Sequence, residues 1–419
     1  MVNNGGNKVV QLFQVVTVPE AWSKLWPHVE GVSGAIQRIP LVEALGRVLA
    51  QDIISPSDVP GFARSTVDGY AVKAKDTFGA SESLPALITV AGEVLMGNAA
   101  DKMLAPGEGV RISTGGMLPP GSDAAVMIEY TEELDSTTVT VLRPVAPGEN
   151  VIQAGEDVRT GELVLPKGWQ LRPQDLGVLA GVGVAEVRVA AQPRVGIIST
   201  GDEIIRPDQV PLPGQVRDIN SYTLYGLVQE CGGVGKLYRI IPDCFDELRQ
   251  QVEEALAEND LVVISGGSSV GTRDATARVM EALGEPGVLI HGVSVRPGKP
   301  TILGMIGKKP VVGLPGHPVS AMVIFDLFIK PMLWHFQGLR RGKPEAAVRA
   351  RVSCNVASGP GREDHVRVCL EDRMGKLWAV PVLGKAGLIT TMVRADGIFR
   401  IPLDKEGVME GEYVNVRLF

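Results

Sequence analysis

Residues 261–276, LVVISGGSSVGTRDAT, constrain the fold of this chain more than any other stretch of the sequence. Five apolar or small residues predict a buried strand at 261–265, of the kind found inside parallel sheets. Gly266, Gly267 and Gly271 let the following loop pass close to a ligand and direct backbone N–H groups at an anion. A helix follows, and Asp274 lies at the rim, where a carboxylate can hold a cation or accept a proton. The stretch therefore predicts a phosphate-binding loop at the edge of a parallel sheet.

Two further strand–loop–helix units carry comparable loops. The strand predicted at 194–199 ends in STGDE at 199–203, and the strand predicted at 311–314 precedes PGHP at 315–318. Because ligands bind at the carboxyl ends of the strands in open α/β sheets, we expect the three loops to form one site. Asp202 or Glu203, together with Asp274, would supply the hard oxygen ligands that Mg²⁺ takes in proteins.

Length, charge and cysteine content limit the class of protein. At 419 residues the chain is expected to form roughly two to four domains, and its 45% apolar and 21% charged residues are typical of a soluble globular protein. The net charge of −7 argues against nucleic-acid binding, which needs a basic stripe. We predict no membrane span, because Asp326 and Lys330 interrupt the most apolar helix, 318–334. The four cysteines form no CxxC pair and no signal peptide is recognisable, which predicts a cytoplasmic protein.

The pattern of apolar residues changes along the chain. Short β-segments separated by Gly and Pro turns at 86–143 predict a β-rich domain inserted in a larger frame. Strands and helices alternate from residue 193, which predicts a doubly wound parallel sheet of about 140 residues. Alternation of apolar and polar residues at 346–419 predicts a small β-sandwich or barrel. Within the α/β part we predict strands at 236–241 and 288–295, and helices at 220–230, 244–257, 275–283 and 319–334.

Several polar residues of the N-terminal half admit a structural explanation as well as a functional one. Asp68 precedes Gly69 in a turn, and Asp-Gly is common turn chemistry. Thr114 stands before a Gly-Gly turn, where its hydroxyl can bond to its own turn or to a ligand. Asp157 lies in a tight turn, where a carboxylate is usually solvated. The residues alone leave both explanations open.

The α/β part carries the same ambiguity. Asp243 and Asn220 stand at helix starts, where they are expected as N-caps. Arg296 and Lys299 flank a Pro-Gly turn, which suits an oxyanion site or a solvated basic turn. Residues 267–271 match G-x-S-x-G, the form of a nucleophile elbow, but the glycines before the serine favour a phosphate cradle.

The chain resembles the molybdopterin molybdenumtransferase family, the MoeA proteins of bacteria and the E domain of gephyrin and its plant counterparts. The resemblance runs from about residue 59 to the C-terminus, and its motifs stand in the family's order. They are VDGYAV at 67–72, STGDE at 199–203, SGGSSVGTRD at 265–274, RPGKP at 296–300 and GLPGHPVSA at 313–321.

The resemblance implies four domains in a multidomain α/β plus β fold. They are an elongated frame domain (1–60 and 144–190), an inserted β-rich domain (61–143), a doubly wound molybdopterin-binding α/β domain (191–337) and a small C-terminal β domain (346–419). It also implies a homodimer whose cleft lies between the α/β domain of one subunit and the inserted domain of the other.

The implied reaction belongs to molybdenum cofactor biosynthesis. Adenylylated molybdopterin binds, its pyrophosphate link is cleaved with release of AMP, and molybdate, or conceivably tungstate, supplies the metal with the assistance of Mg²⁺. Partners implied are a molybdopterin adenylyltransferase and molybdoenzyme chaperones. Two alternatives are a non-catalytic scaffold of the gephyrin kind and a molybdopterin adenylyltransferase, although the latter activity needs only the α/β part.

Matching positions imply roles for individual residues. Catalytic roles fall on Asp68, Thr114, Asp157, Glu203, Asp243 and Asp274, of which Glu203, Asp243 and Asp274 would hold the metal. The residues expected to bind the substrate or the oxyanion are Thr200, Gly201, Gly266, Gly267, Ser269, Gly271, Arg296, Lys299, Pro300, Pro315, Gly316, Pro318, Ser320 and Arg362. His317 stands where the family more often has asparagine.

Overall fold

The computed structural model describes residues 15–266, 270–340 and 346–419, and the side chains of all of these except 270–274. The chain begins in the frame domain. Thr17 and Glu20 form a capping box at the first helix: the Glu20 N–H donates to the Thr17 hydroxyl at 3.3 Å, and the Thr17 N–H donates to the Glu20 carboxylate at 2.8 Å. The elements up to the inserted domain are α1 (Val18–Val29), β1 (Ile36–Pro40), β2 (Ile53–Ile54) and β3 (Arg64–Ser65).

The inserted domain is one six-stranded sheet in the order β7-β4-β6-β5-β9-β8. Alternate residues of these strands form its core, in which Tyr70, Val126 and Val139 are buried. Its strands are β4 (Gly69–Val72), β5 (Ala86–Val94), β6 (Glu108–Ile112), β7 (Ala124–Met127), β8 (Thr131–Asp135) and β9 (Thr138–Val141).

The chain returns to the frame after this sheet. Antiparallel pairs β3–β10, β2–β11 and β1–β12 join the segment before the inserted domain to the segment after it. The returning elements are β10 (Val151–Ile152), β11 (Leu163–Leu165), α2 (Pro173–Gly181) and β12 (Glu186–Ala190). These pairings hold together the two chain segments that lead into and out of the inserted domain.

The α/β domain is a six-stranded sheet in the order β16-β13-β17-β21-β20-β18. Leu261 and Val263 of β17 face α1, α3 and the last helix, whereas Val262 and Ile264 face α4 and α5, so helices cover both faces. The elements are β13 (Arg194–Thr200), β14 (Ile204–Ile205), β15 (Val216–Arg217), α3 (Asn220–Glu230), β16 (Val234–Leu237), α4 (Phe245–Glu258), β17 (Leu261–Gly266), α5 (Val270–Leu283), β18 (Pro286–His291), β19 (Val295–Arg296), β20 (Ile302–Ile306), β21 (Lys309–Pro315), α6 (Pro318–Ile324), a π-helical turn (Phe325–Ile329) and α7 (Lys330–Phe336).

The predicted α/β fold is confirmed, but the sheet is not parallel throughout. Strands β16, β13, β17 and β21 are parallel, whereas β20 runs antiparallel to both β21 and β18. Only residues 307 and 308 separate β20 from β21, and so short a turn joins antiparallel strands. Two predicted strands were also wrong in extent. The strand predicted at 236–241 is shorter and lies at Val234–Leu237, and the strand predicted at 288–295 divides into Pro286–His291 and Val295–Arg296.

The C-terminal domain is a small closed sheet. Its strand order is β24-β25-β22-β28-β26, and a further β24–β26 pairing closes it, while β19 of the α/β domain adds to β24. Closure leaves few unpaired strand edges. Its elements are β22 (Ala347–Val352), β23 (Val356–Ala357), β24 (Glu363–Arg373), β25 (Lys376–Pro381), α8 (Thr390–Val393), β26 (Gly397–Ile401), β27 (Gly407–Val408) and β28 (Tyr413–Leu418).

One described helix, Pro318–Phe336, is long and apolar enough to cross a membrane, and 61% of its most apolar window is buried inside the structure. Ile324, Phe328 and Leu333 of this helix are fully buried in the core cluster that packs against the sheet. Its apolar character is therefore used in the protein core.

Candidate active site

Three strands of the α/β sheet end side by side and line a common cleft. In the parallel register Ser199 lies beside Ser265, and Gly266 lies beside Pro315, so the following loops meet at one edge of the sheet. The cleft has a volume of about 350 Å³, and we call it the Glu203 cleft after the carboxylate that lines it. Its polar lining includes Thr200, Glu203, Asn220, Ser265, Gly266 and Gly316.

A second cleft adjoins the first across an arm, residues 201–218. The arm leaves the end of β13, pairs β14 with β15 and returns to α3. The second cleft has a volume of about 560 Å³ and shares Ile204 and Asp218 with the first. We call it the Asp202 cleft, because Asp202 lines it while Glu203 lines the other. Neighbouring carboxylates at the base of the arm thus face two separate clefts.

The absence of a side chain at Gly201 leaves room for the Glu203 carboxylate beside it. Gly201 has φ +145°, and a Cβ placed on it would lie 2.7 Å from Glu203 Oε2 and 3.0 Å from Ile204 Cγ1. Among the described residues, no Lys, Arg or His side chain forms an ion pair with Glu203. Arg217 lines the same cleft, but its Nε donates to the Gln209 carbonyl at 3.1 Å and forms no ion pair with Glu203, so this carboxylate fits a cation-binding role.

Asp243 lies at the same edge of the sheet. The Thr200 hydroxyl donates to Asp243 Oδ1 at 3.3 Å, and the Asp243 backbone N–H donates to Asp202 Oδ1 at 3.1 Å. The predicted N-cap role of Asp243 is wrong: Cys244 occupies the N-cap of α4, and no side chain forms a capping bond there. The residue instead links the base of the arm to the start of α4, with its carboxylate bonded to Thr200.

The loop after β17 was central to the sequence prediction, and part of it lies outside the described residues. Gly267 and Ser269 belong to that part, and for Gly271 and Asp274 only the backbone, within α5, is described. This helix begins at Val270, earlier than the predicted residue 275, because its first turn follows the glycine loop directly. Among the residues that the structure describes, no three His, Cys, Asp or Glu side chains are grouped so that they could hold a metal ion. Glu203 and Asp243 carry carboxylate oxygens of the kind that Mg²⁺ binds, and their predicted role as metal ligands with Asp274 remains a prediction.

Asn220 has a role that sequence reasoning missed. Its Nδ2 donates to Ser265 Oγ at 2.7 Å and to the Gly316 carbonyl at 2.9 Å, so it joins two of the three loops. The predicted N-cap role of Asn220 is wrong: Ile219 occupies the N-cap of α3 without a side-chain capping bond, and Asp218 before it accepts the Ser221 N–H at 3.0 Å. An asparagine directly after the arm was the only signal in the sequence that could have indicated this role.

The third loop lies under the C-terminal domain. Gly316 and Pro318 line the Glu203 cleft, whereas Pro315 ends β21 and Ser320 is buried in the first turn of α6. The Val319 N–H donates to the Ala386 carbonyl at 3.2 Å, and a Cβ on Gly387 would lie 3.3 Å from His317 Cδ2. Gly387, in loop 384–389 of the C-terminal domain, therefore lines one side of the cleft.

Three of the predicted oxyanion residues carry positive charge, and two of them meet at one carboxylate. β19 pairs with β24 so that Arg296 lies beside Asp364, with Arg296 Nη1 3.7 Å from Asp364 Oδ2. Arg362 Nε donates to Asp364 Oδ1 at 2.9 Å. Lys299 is exposed three residues after Arg296, and Pro300 follows it. Two guanidinium groups share this one buried carboxylate, which leaves net positive charge for an anion.

Asp68 and Thr114 form a bonded pair in the inserted domain. The Thr114 N–H donates to Asp68 Oδ1 at 2.7 Å, and the Thr114 hydroxyl donates to the same atom at 3.2 Å. Gly69 follows with φ +154°, and a Cβ there would lie 1.9 Å from the Val126 carbonyl oxygen, so only glycine fits. The turn explanation covers only part of the role of Asp68, because its carboxylate also binds Thr114 in the turn that follows β6.

Asp157 lies in the frame domain with an exposed side chain, and its backbone N–H donates to the Val59 carbonyl at 3.1 Å. Within the described part of one chain, no hydrogen bond or strand pairing joins Asp68, Thr114 or Asp157 to the α/β loops. The structure brings the residues of the α/β and C-terminal domains together, and leaves Asp68 and Thr114 in the inserted domain and Asp157 in the frame domain.

Comparisons with known proteins agree along the whole chain. Three family models match: "MoeA N-terminal region (domain I and II)" at residues 16–183, "Probable molybdopterin binding domain" at 196–335 and "MoeA C-terminal region (domain IV)" at 349–419. A putative molybdopterin biosynthesis protein of Methanocaldococcus jannaschii is 39% identical over 91% of this chain and 92% of its own. A molybdopterin molybdenumtransferase of Haemophilus influenzae is 34% identical over 90% of this chain and 93% of its own. The crystal structure of a molybdopterin biosynthesis MoeA protein from Pyrococcus horikoshii superimposes with a TM-score of 0.82 at 39% identity, covering 97% of this chain and 99% of that one.

Proposed function

The chain belongs to the MoeA family, and from that premise we propose that it inserts molybdate into adenylylated molybdopterin, cleaving the pyrophosphate link and releasing AMP. The resemblance seen in the sequence is confirmed, and with it a transferase activity in molybdenum cofactor biosynthesis. The substrate, the released nucleotide and the metal belong to our proposal.

The observation that carries the proposal is the pair of adjoining clefts. Adenylylated molybdopterin has two bulky halves, a pterin and a nucleotide, joined by a pyrophosphate. The Glu203 and Asp202 clefts, of about 350 and 560 Å³, lie on either side of the arm base. Each has room for one half, and a link that crosses Gly201 would pass between the two carboxylates.

The residues at this crossing suit phosphoanhydride cleavage. Glu203, Asp243 and Asp274 would hold a divalent cation such as Mg²⁺, which when bound would offset the negative charge of the phosphates. Gly201 leaves room for the Glu203 carboxylate, and the Thr200 hydroxyl orients the Asp243 carboxylate. These side chains would position the link and a water molecule beside it, an arrangement that lowers the barrier by orientation.

Molybdate would enter at the positive residues of the rim. Arg296, Lys299 and Arg362 leave net positive charge beside Asp364, and oxyanions are bound by such charge-assisted donors. The fold places this patch at the same sheet edge as the cleft, because β18 ends and β20 begins there. A tetrahedral dianion would therefore bind within the same rim as the pterin half.

We further propose a cytoplasmic homodimer that contacts a molybdopterin adenylyltransferase and molybdoenzyme chaperones. A dimer is supported by the separation of Asp68, Thr114 and Asp157 from the α/β loops within one chain. The inserted domain of a second subunit would bring Asp68 and Thr114 to the cleft, and Asp157 would come from its frame domain.

AMP release tests the proposal directly. The purified chain, supplied with adenylylated molybdopterin, molybdate and Mg²⁺, should release AMP in step with molybdenum incorporation, and EDTA should stop the release. Glu203→Gln should reduce the rate by about 100-fold, since it removes a charge that meets the cation. AMP would be measured by chromatography and bound molybdenum by mass spectrometry.

The matched control is Asp246→Asn, which removes an exposed carboxylate from the first turn of α4 that lines neither cleft. It should keep the wild-type rate. A wild-type chain that forms adenylylated molybdopterin from ATP and free molybdopterin, without releasing AMP, would instead be an adenylyltransferase.

A further inference from the structure

We infer that Asn220 is a positioning residue of this site: it orients the Ser265 hydroxyl towards the bound substrate and holds the Gly316 loop beside it. The inference rests on the proposed function, because both residues line the Glu203 cleft. It adds Ser265 to the substrate-binding residues and gives the helix α3 a role in the site.

The chemistry of the partners fixes the orientation of the Asn220 amide. The Gly316 carbonyl can only accept a hydrogen bond, so the amide atom 2.9 Å from it is the nitrogen Nδ2. The same nitrogen lies 2.7 Å from Ser265 Oγ and donates its second hydrogen there. Both N–H groups of the side chain are thereby committed to the two loops.

The orientation of the Ser265 hydroxyl follows from that bond. Its oxygen accepts from Asn220, so its own hydrogen is free to donate elsewhere. No hydrogen bond of the described residues uses that donor. Ser265 lies at the carboxyl end of β17 and lines the cleft beside Gly266, so its hydroxyl can donate to a phosphate oxygen or a pterin ring acceptor.

The other end of the amide is unusual. Asn220 Oδ1 is buried and accepts no hydrogen bond from the described residues. An unpaired buried acceptor destabilises a fold, and such groups in native proteins are commonly found where function requires them. Stability alone therefore does not account for an asparagine at this position.

Asn259 provides a matched comparison in the same domain. It is equally buried, and its Nδ2 donates to Tyr238 Oη and to the Ala255 carbonyl, each at 2.8 Å. It lies just before β17, at the opposite end of the strand from Ser265, and lines neither cleft of the site. Its amide has a structural role without a substrate nearby.

The test compares substrate affinity and stability in four variants of the full chain. The dissociation constant of adenylylated molybdopterin would be measured by titration calorimetry, together with kcat and the melting temperature. Ser265→Ala should weaken binding about tenfold with kcat within about twofold, because it removes one donor made to the substrate. Asn220→Ala should weaken binding at least as much, and the double variant no more than Asn220→Ala alone. Asn259→Ala should lower the melting temperature and leave the affinity unchanged.

Wild-type affinity in Asn220→Ala, or losses that multiply in the double variant, would overturn the inference. Should Asn220→Ala not fold, Asn220→Asp keeps the size of the side chain but cannot donate to both loops, and it should show the same loss of affinity. A wild-type chain that binds the ligand without releasing AMP contradicts the proposed function alone, since the affinity comparison still holds.

Discussion

At the scale of single residues, the absence of a side chain at Gly201 leaves room for a functional carboxylate. The residues of STGDE alone left Asp202 and Glu203 both open as a metal ligand, and the family resemblance favoured Glu203. The structure separates them, because Glu203 lines one cleft and Asp202 lines the other. Local sequence could not distinguish the two, since both carboxylates follow the same strand.

Gly201→Ala should displace the Glu203 carboxylate, whose Oε2 would lie 2.7 Å from the new Cβ. We expect AMP release to fall by about tenfold or more, while the free energy of unfolding falls by about 1 kcal/mol from the positive φ. Gly214→Ala is the control, because Gly214 has φ +92° in the same arm with nothing within 4 Å of its Cβ. It carries the backbone strain without the collision, so equal loss of activity in both variants would contradict this reading of Gly201.

Asn220 shows a second limit of what residue type and position can predict. Its position at the start of a helix predicted a cap, yet its partners are 45 and 96 residues away in the chain. Asp218, the last residue of the arm, instead accepts the Ser221 N–H in the first turn of α3. Residue type and spacing predict local bonds well, and they carry little information about partners brought in by packing.

At the scale of elements, short polar connections hold the frame together. Asp175 in the first turn of α2 accepts from Trp169 Nε1 at 2.9 Å and from the Arg172 backbone N–H at 2.8 Å, and pairs with the Arg172 guanidinium at 2.9 Å. Burial by itself raises the pKa of this carboxyl, but the bonds from Arg172 and Trp169 outweigh it and lower the pKa below 3.8. The charged carboxylate therefore stabilises the folded frame.

The lowered pKa of Asp175 sets the sign with which the stability of the frame depends on pH. Because the folded pKa of Asp175 is lowered, its stabilisation is present above about pH 3.8 and is lost as the pH falls through the folded value. Asp175→Asn should reduce the free energy of unfolding by about 2 kcal/mol at pH 7, and the difference from wild type should shrink towards pH 3. Urea unfolding at several pH values measures both.

Asp208→Asn serves as the control for this experiment. Asp208 pairs with Arg206 at 3.1 Å, but 64% of its side chain is exposed, and exposed pairs contribute little. Its variant should follow the wild-type curve. A constant difference between Asp175→Asn and wild type down to pH 3 would show that the charge of Asp175 is not what stabilises α2.

At the scale of the whole molecule, the predicted site is divided between domains. The α/β and C-terminal domains meet at Arg296, Arg362 and Asp364, and loop 384–389 reaches the cleft. Asp68 and Thr114 are bonded to each other in the inserted domain, apart from that cleft within one described chain. In the proposed homodimer, the inserted domain of each subunit would supply them to the cleft of its partner.

Mixed dimers test this arrangement. Asp68→Ala and Glu203→Gln should each be inactive as homodimers. In a mixed dimer whose sites are shared between subunits, one site carries both lesions and the other carries none. Random exchange should then restore about a quarter of wild-type AMP release, since half of the dimers are mixed and half of their sites are intact.

A control mixture pairs the Asp68→Ala/Glu203→Gln double variant with Asp68→Ala, in which no subunit supplies an intact Asp68. It should stay inactive. If the first mixture also stays inactive after subunit exchange is verified by mass spectrometry, each site lies within one chain.

Apolar periodicity and glycine turns, which are local properties, predicted the α/β fold, the helices on both faces of its sheet and the edge at which the loops meet. The sequence by itself placed helix α3 at Asn220–Glu230 as found, and it placed STGDE and PGHP beside one cleft. Packing decided the pairing of β18 with β20, the two clefts that Asp202 and Glu203 line and the bonds of Asn220. Those depend on which distant groups meet when layers pack, and hydrogen-bond partners chosen by packing leave no pattern in the local sequence.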